Sequence, residues 1–159
     1  MCTSSLLAQA AFDFFFSGMA ALAFAFLFNL EKSHLLPCAL CAGVGHVTQF
    51  LALQSGLTFG LASLLGATWI GFLGYIIAGK LNVARVVFTV PAIIPMFPGT
   101  FAFKALMGVV YISGLGQAAS SDLILETVVN FTRTAVILCA LAAGIAAPTL
   151  LLPWYRPKD

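Results

Sequence analysis

Residues 86–113 read VVFTVPAIIPMFPGTFAFKALMGVVYIS, an apolar stretch whose only charged residue is Lys104. A transmembrane helix needs about 20 such residues, so a stretch of about 28 is long for one crossing. Each proline removes a backbone donor and clashes with the preceding turn, so a continuous helix is not expected here. We expect two half-helices joined at residues 95–99. The residues that break the helix are Pro91, Pro95, Pro98 and Gly99.

A helix break at membrane depth frees backbone groups that lipid cannot satisfy. Such backbone is tolerated only where protein or a water-filled cavity surrounds it, so the break at 95–99 is expected to point inward. Discontinuous helices are typical of transporters, in which the N-termini of half-helices suit anions. The alternative interpretation is a simple proline kink without a binding function.

The rest of the chain has the same apolar character. Of its 159 residues, 62% are hydrophobic and 8% are charged, whereas a soluble domain has about a quarter charged residues. So few charged side chains cannot form a water-facing surface. The net charge of +2 is small and dispersed, which does not indicate a nucleic-acid partner. The composition predicts one membrane domain over residues 1–159, in contact with the lipid bilayer.

The sequence predicts an all-α, polytopic membrane protein with about five transmembrane helices. Ser120, Ser121 and Asp122 supply N-cap residues for the last of them. The predicted spans are 6–30, 35–53, 57–78, 86–113 with its break near 95–99, and 123–152.

The loop cations predict the orientation of these spans. Lys and Arg favour the cytoplasmic side of a membrane. With five spans, all of the loop cations fall on one side, which predicts an N-terminus outside and a C-terminus in the cytoplasm. These cations are Lys32, Lys80, Arg85, Arg156 and Lys158.

Ionisable side chains inside the spans are candidates for function. Each costs at least about 2.5 kcal/mol on insertion scales, so each needs a partner or a role. Glu126, Asn130 and Arg133 are spaced i, i+4, i+7 and are expected on one face of the last helix. The five ionisable candidates are Asp13, His46, Lys104, Glu126 and Arg133.

Arg133 is the first candidate for binding an anionic substrate. It is expected about 16 Å into the last helix, which is near the bilayer centre. Its planar guanidinium matches a carboxylate, whereas Lys104 would act as a point charge. The alternative is that Glu126 and Arg133 only pair with polar groups of this chain or of a partner subunit.

Asp13 is a candidate for proton coupling, because a carboxylate inside a span is typical of proton relays. Glu126 is a second candidate, and His46, directly after Gly45, is a third. For Asp13 and His46, the alternative is a hydrogen-bonded residue of the helix packing.

Cys38 and Cys41 form a C-x-x-C pair, the spacing of thiol redox motifs. This raises the alternative of a membrane thiol oxidoreductase, although the pair lies near the predicted cytoplasmic, reducing end of its span. The sequence shows no metal-ligand set at helical spacing, no Ser/His/Asp arrangement and no phosphate loop. We therefore predict no metal, no cofactor and no enzymatic activity, and transport driven by an ion gradient rather than by ATP.

Val87-Phe88-Thr89-Val90, leading into Ile94-Pro95-Met96-Phe97-Pro98-Gly99, resembles the signature of the threonine/serine exporter (ThrE) family. The whole chain most resembles the small YjjB-type subunit of a split, two-component exporter. Shorter matches follow in order along the chain: Phe28-Asn29, Gly45-His46, Ser55-Gly56-Leu57, Ile112-Ser113, Leu115-Gly116 and Asn130-Phe131.

The resemblance implies a subunit of a secondary exporter in the bacterial inner membrane, acting with a larger YjjP-like membrane subunit. It implies succinate as the substrate, with threonine and serine as the alternative. A nontransporting scaffold subunit whose polar stripe docks a partner is a further alternative. Lys104, Glu126 and Arg133 match no motif of the family, so their roles rest on physical argument alone. The predicted substrate-binding residues are Pro95, Met96, Phe97, Pro98, Gly99, Lys104, Asn130 and Arg133.

Overall fold

The structure, a computed structural model, describes residues 2–152, with side chains from residue 6 onward. Over this range the chain is helical and contains no strand, which confirms the predicted all-α fold. A 3₁₀ turn (Ile94–Met96) extends the fourth helix and another (Gly116–Ala118) follows the fifth. The helices are α1 (Cys2–Leu27), α2 (Lys32–Gln54), α3 (Phe59–Leu81), α4 (Val86–Ile93), α5 (Gly99–Leu115) and α6 (Ser121–Leu151).

Five helices of the described range are long and apolar enough to cross a membrane, as predicted. The fourth predicted span differs in detail, because its two pieces are unequal. Val86–Met96 has a length of about 16 Å, or half of the hydrocarbon layer. Gly99–Ala118 is long enough to cross alone. The predicted span 86–113 is therefore a half-helix followed by a full-length helix.

Left-handed residues end the first three helices. At Asn29 φ is 54°, and the amide of Leu30 donates to the carbonyl of Ala25 at 3.0 Å. This is a Schellman ending, in which one left-handed residue lets the following amides reach the last free carbonyls. Gly56, with φ 87°, ends α2 in this way, and Asn82, with φ 55°, ends α3. The loops between the long helices are short for this reason.

Ser120 caps α6, because the amide of Leu123 donates to its hydroxyl oxygen at 3.3 Å. This confirms the predicted cap.

The cations that predict the orientation are only partly described. Residues 153–159, which include Arg156 and Lys158, lie outside the described residues. The predicted orientation of the chain in the membrane stays a prediction.

The described residues form two compact units. The first contains residues 2–96 and 140–152, and so includes α1 to α4 and the end of α6. The second contains residues 97–139, with α5 and the start of α6. In the first unit, α2 packs against α1, α3 and α4. The single domain predicted over residues 1–159 stays a prediction.

Glycines allow α2 and α3 to cross closely in the first unit. A Cβ at Gly66 would lie 2.6 Å from the carbonyl oxygen of Gly45 and 2.7 Å from the Cε of Met96. A Cβ at Gly45 would overlap the side chain of Ile70, which is fully buried. Small residues at such crossings let transmembrane helices gain van der Waals contact that lipid cannot match. Met96 is the last residue of the 3₁₀ turn after α4, so this turn ends against the crossing of α2 and α3.

The end of α6 joins the first unit through the same kind of contact. A Cβ at Gly144 would lie 2.6 Å from the Cβ of Ala67 and 2.8 Å from the carbonyl oxygen of Leu64. Gly71 of α3 faces the backbone of α6 in return, since its Cβ would lie 3.0 Å from the carbonyl oxygen of Ile145. The backbones of α3 and α6 thus approach closely at Gly71 and Gly144, with the small side chain of Ala67 and the ring of Pro148 beside them.

We expect Gly66→Ala to destabilise the first unit, because the added methyl group meets backbone as well as the Met96 side chain. Overpacking of this kind typically costs about 1–3 kcal/mol. Thermal unfolding of the detergent-solubilised protein should show a lower Tm. Gly114→Ala is the control, since a Cβ there meets nothing within 4 Å. Equal Tm values for the two variants would contradict the close crossing.

Candidate functional site

The half-helix α4 and its 3₁₀ turn end inside the first unit. Met96 is only 5% exposed, and its methyl group lies against Gly66 of α3. Thr89 packs on α3 as well, because a Cβ at Gly74 would lie 2.6 Å from its Cγ2. Protein therefore surrounds the first part of the helix break, as the proline spacing predicts. The buried residues of α4 are Phe88, Thr89, Pro91, Ala92 and Ile93.

Phe88 attaches the start of α4 to α2. Its ring meets the ring of His34 edge to face, with the centroids 5.5 Å apart. Its carbonyl oxygen accepts a weak hydrogen bond from the Sγ of Cys38 at 3.8 Å. Cys38 and Cys41 are both fully buried. Because apolar burial makes a thiol a poor nucleophile, the two cysteines have a packing role here, which argues against a thiol oxidoreductase.

A buried polar pair links α2 and α3 beside the glycine crossing. The Nε2 of Gln49 donates to the Oγ of Ser63 at 2.7 Å, and the Ser63 hydroxyl donates to the carbonyl of Phe59 at 2.8 Å. Gln49 also lies close to Gly66, whose Cβ would be 3.2 Å from the Cβ of Gln49. The sequence analysis did not find this pair, because its two members come from different helices and show no common local pattern.

His46 lies one residue beyond the close approach at Gly45. Its Nε2 is buried, and within residues 6–152 this atom has no hydrogen-bond partner. Asp13, on α1, belongs to the same unit. A neutral imidazole nitrogen without a partner can accept a proton or a hydrogen bond from a ligand. The structure thus places two of the three predicted proton-coupling residues in the same unit as Met96.

The second unit holds the other predicted residues. Gly108 of α5 packs directly on Thr127 of α6, where a Cβ would overlap the threonine side chain. Next to this contact, the Nζ of Lys104 lies 3.9 Å from the Oε1 of Glu126, and these side chains are 62% and 65% exposed. An ion pair this long and this exposed is weak. Lys104 and Glu126 therefore remain available to other charged groups.

Arg133 has a different neighbour. Its guanidinium lies over the ring of Phe101, 5.6 Å from the centroid. In the part of the chain that the structure describes, no carboxylate oxygen lies within 4.0 Å of this group. Its charge therefore interacts with the face of an aromatic ring, which is favourable but modest. Within the described chain it has no anionic partner.

Asn130 is separated from the charged residues of its helix. It is 5% exposed, and its Nδ2 donates to the carbonyl of Glu126 at 2.9 Å. Glu126 and Arg133 are exposed instead. The predicted stripe is therefore made of two exposed charges and one buried amide. Of that amide, the side-chain carbonyl and the second N–H are left for a ligand.

The remaining predicted residues divide between the units. Pro95 and Met96 belong to the first unit, whereas Phe97, Pro98 and Gly99 belong to the second. Pro98 is buried and Phe97 is 55% exposed. Pro98 stands immediately before the first residue of α5, a position at which a missing amide proton matters little.

A model of the Threonine/Serine exporter, ThrE, family matches residues 13–151. The chain belongs to the threonine/serine exporter family. An uncharacterized protein of Haemophilus influenzae is 37% identical over 148 residues, which are 92% of this chain and 48% of the relative. The chain therefore spans about half the length of this curated relative. No solved structure matches the chain.

ThrE proteins form a family of membrane transporters, so the chain is a multi-pass membrane protein of transporter type. Several residues that carry the family resemblance have structural roles in this chain. Asn29, Gly56 and Gly116 adopt positive φ angles at helix ends, and Gly45 provides the close α2–α3 crossing. Much of the family pattern therefore specifies the helix ends and packing that position the half-helix.

Proposed function

We propose that this chain is a membrane subunit of a secondary exporter for a small carboxylate-bearing metabolite. The observation that carries the proposal is the buried end of the α4 half-helix, at Met96, in a chain of an exporter family. A helix that stops at about half the membrane thickness leaves backbone groups without helical partners. In transporters such groups bind the substrate or the coupling ion. The segment from Pro95 to Gly99 is accordingly the proposed substrate path.

Succinate is the proposed substrate, and Arg133 with Lys104 is the proposed carboxylate-binding pair. Arg133 has no carboxylate partner in the described chain, and Lys104 is held only weakly by Glu126. These two cations can each pair with one of the two carboxylates of succinate. Threonine and serine are the alternative substrates, since Glu126 offers a carboxylate for the ammonium group of an amino acid. Asn130 can offer the second N–H of its amide to a carboxylate, or its side-chain carbonyl to an ammonium group.

Proton coupling is proposed at Asp13 and His46. The unpartnered Nε2 of His46 can accept a proton, and Asp13 supplies a carboxylate on the neighbouring helix α1. Both residues lie in the unit that contains the end of the half-helix. Proton uptake here is thus positioned to alter the packing of α1, α2 and the 3₁₀ turn. Glu126 is a second proposed proton carrier.

The proposed partner is a larger YjjP-like membrane subunit, with which this chain acts in the bacterial inner membrane. The length of the Haemophilus relative supports this, because the chain accounts for only 48% of it. The proposed orientation has the N-terminus outside and the C-terminus in the cytoplasm.

Efflux from cells tests the proposed function directly. Cells loaded with labelled succinate, threonine or serine would express this chain, the larger subunit, or both. We expect succinate efflux only when both chains are present. Efflux of threonine or serine instead would select the alternative substrates. No efflux of any of the three solutes, with both chains inserted in the membrane, would contradict the exporter proposal and favour a scaffold subunit.

Asp13→Asn tests the proposed coupling site. The amide keeps the size of the side chain but cannot carry the proton, so we expect at least a tenfold loss of gradient-driven efflux. Exchange of labelled for unlabelled substrate, which needs no net proton movement, should persist. Asp122→Asn is the matched control, because Asp122 is an exposed residue in the first turn of α6. Loss of both efflux and exchange would assign Asp13 to substrate binding or stability.

A further inference from the structure

The start of α2, the end of α3 and the start of α4 lie at the same end of the first unit. A short turn joins α2 to α3 and the two helices pack together, so they run antiparallel. The ring of Phe88, at the start of α4, contacts the ring of His34, at the start of α2. This end carries three cations, Lys32, Lys80 and Arg85, and we call it the cationic end.

The cationic end lies at the depth of the lipid headgroups. Helices α2 and α3 each contain 23 residues, which gives a length of about 34 Å. The hydrocarbon layer is about 30 Å thick, so a helix of this length crosses it and ends in the headgroup region. Lys32 is the first residue of α2, and Lys80 lies in the last turn of α3. In a membrane, lipid phosphates are therefore the anions at the level of these cations.

Arg85 is the cation of this group that most needs an anionic neighbour. The residue is half-buried, and its Nη1 is buried without a hydrogen-bond partner within residues 6–152. Glu31 is also at this end, but no carboxylate oxygen of the described chain lies within 4.0 Å of the guanidinium. A covered nitrogen of a permanently charged group is unfavourable without an acceptor. Arg85 thus requires an oxygen acceptor that residues 6–152 do not supply.

Exposed apolar side chains continue from the cations toward the membrane interior. Leu36 lies one turn after Lys32 on α2 and is 69% exposed. Val86 and Val90 follow Arg85 on α4, lie one turn apart, and are 55% and 41% exposed. A phospholipid has the same order of groups, since its acyl chains continue from its phosphate. A small soluble anion would use the cations alone, so the pattern favours a lipid.

We propose that the cationic end binds an anionic phospholipid, whose phosphate is held by Arg85 with Lys32 and Lys80 around it. The planar guanidinium matches two phosphate oxygens, and basic sites between transmembrane helices suit anionic headgroups. An acyl chain lies along Val86 and Val90. The bound lipid thereby stabilises the first turn of the half-helix α4. The inference is independent of the solute that the protein exports.

Thermal unfolding with added lipid tests this site. Phosphatidylglycerol, added at about 100 times its Kd to the purified full-length chain in neutral detergent, should raise the Tm by about 5 °C. Arg85→Gln should lose at least half of this shift. Lys104→Gln is the matched control, because it removes the same charge from the second unit and should keep the shift. Equal shifts in the three proteins, or an equal shift with phosphatidylcholine, would overturn the proposal.

Soluble anions distinguish a lipid from other oxyanions. Glycerol 3-phosphate carries the phosphate without acyl chains, and succinate carries two carboxylates. Each should raise the Tm by less than a quarter of the shift that phosphatidylglycerol gives. A full shift with glycerol 3-phosphate that Arg85→Gln removes would show a soluble-phosphate site. The same result with succinate would assign Arg85 to the exported solute, and either result would refute the lipid.

Photolabelling of the unmodified protein tests the proposal even if Arg85→Gln does not fold. Phosphatidylglycerol with a diazirine on an acyl chain, in phosphatidylcholine nanodiscs, should label the peptide that contains Val86 and Val90. Excess unlabelled phosphatidylglycerol should reduce this labelling at least fivefold, whereas the same amount of added phosphatidylcholine should not. Equal reduction by both lipids, or labelling confined to other peptides, would contradict a specific site.

Discussion

A bilayer offers no hydrogen-bond partner to a freed backbone group and no counter-charge to an ionised side chain, and the structure depends on this constraint. In the first unit, protein covers the end of the half-helix and one buried polar pair. The half-helix ends with Met96 buried on Gly66, and Gln49 donates to Ser63 rather than facing lipid. In the second unit Lys104 and Glu126 are exposed and only weakly paired, so in a membrane these charges need protein or a water-filled cavity beside them.

Glycine packing and the helix break work together in the first unit. Without the close approach at Gly45 and Gly66, the 3₁₀ turn after α4 would have no place against the α2–α3 crossing. Cys38 and His34 hold the beginning of the same half-helix through Phe88. The half-helix is therefore fixed at both ends by α2 and α3, which also carry His46 and the buried polar pair.

Composition and proline spacing were sufficient to predict the membrane class, the number of long apolar helices and the break at 95–99. These features depend on local sequence, because span length follows from the helix rise and a proline acts on its own turn. The Gln49–Ser63 bond and the position of Phe101 beneath Arg133 could not be predicted, since each joins two helices whose rotation and register are set by packing. The prediction also missed that Asn130 is buried apart from the charges of its helix.

The most direct test of the account is transport by the purified two-chain complex in proteoliposomes. Labelled succinate would be enclosed with the complex, and an inward proton gradient would be imposed across the membrane. The account predicts succinate efflux that requires both chains, stops when the gradient is collapsed, and is lost in the complex carrying Arg133→Gln. Gradient-independent efflux, or efflux by this chain alone, would contradict it.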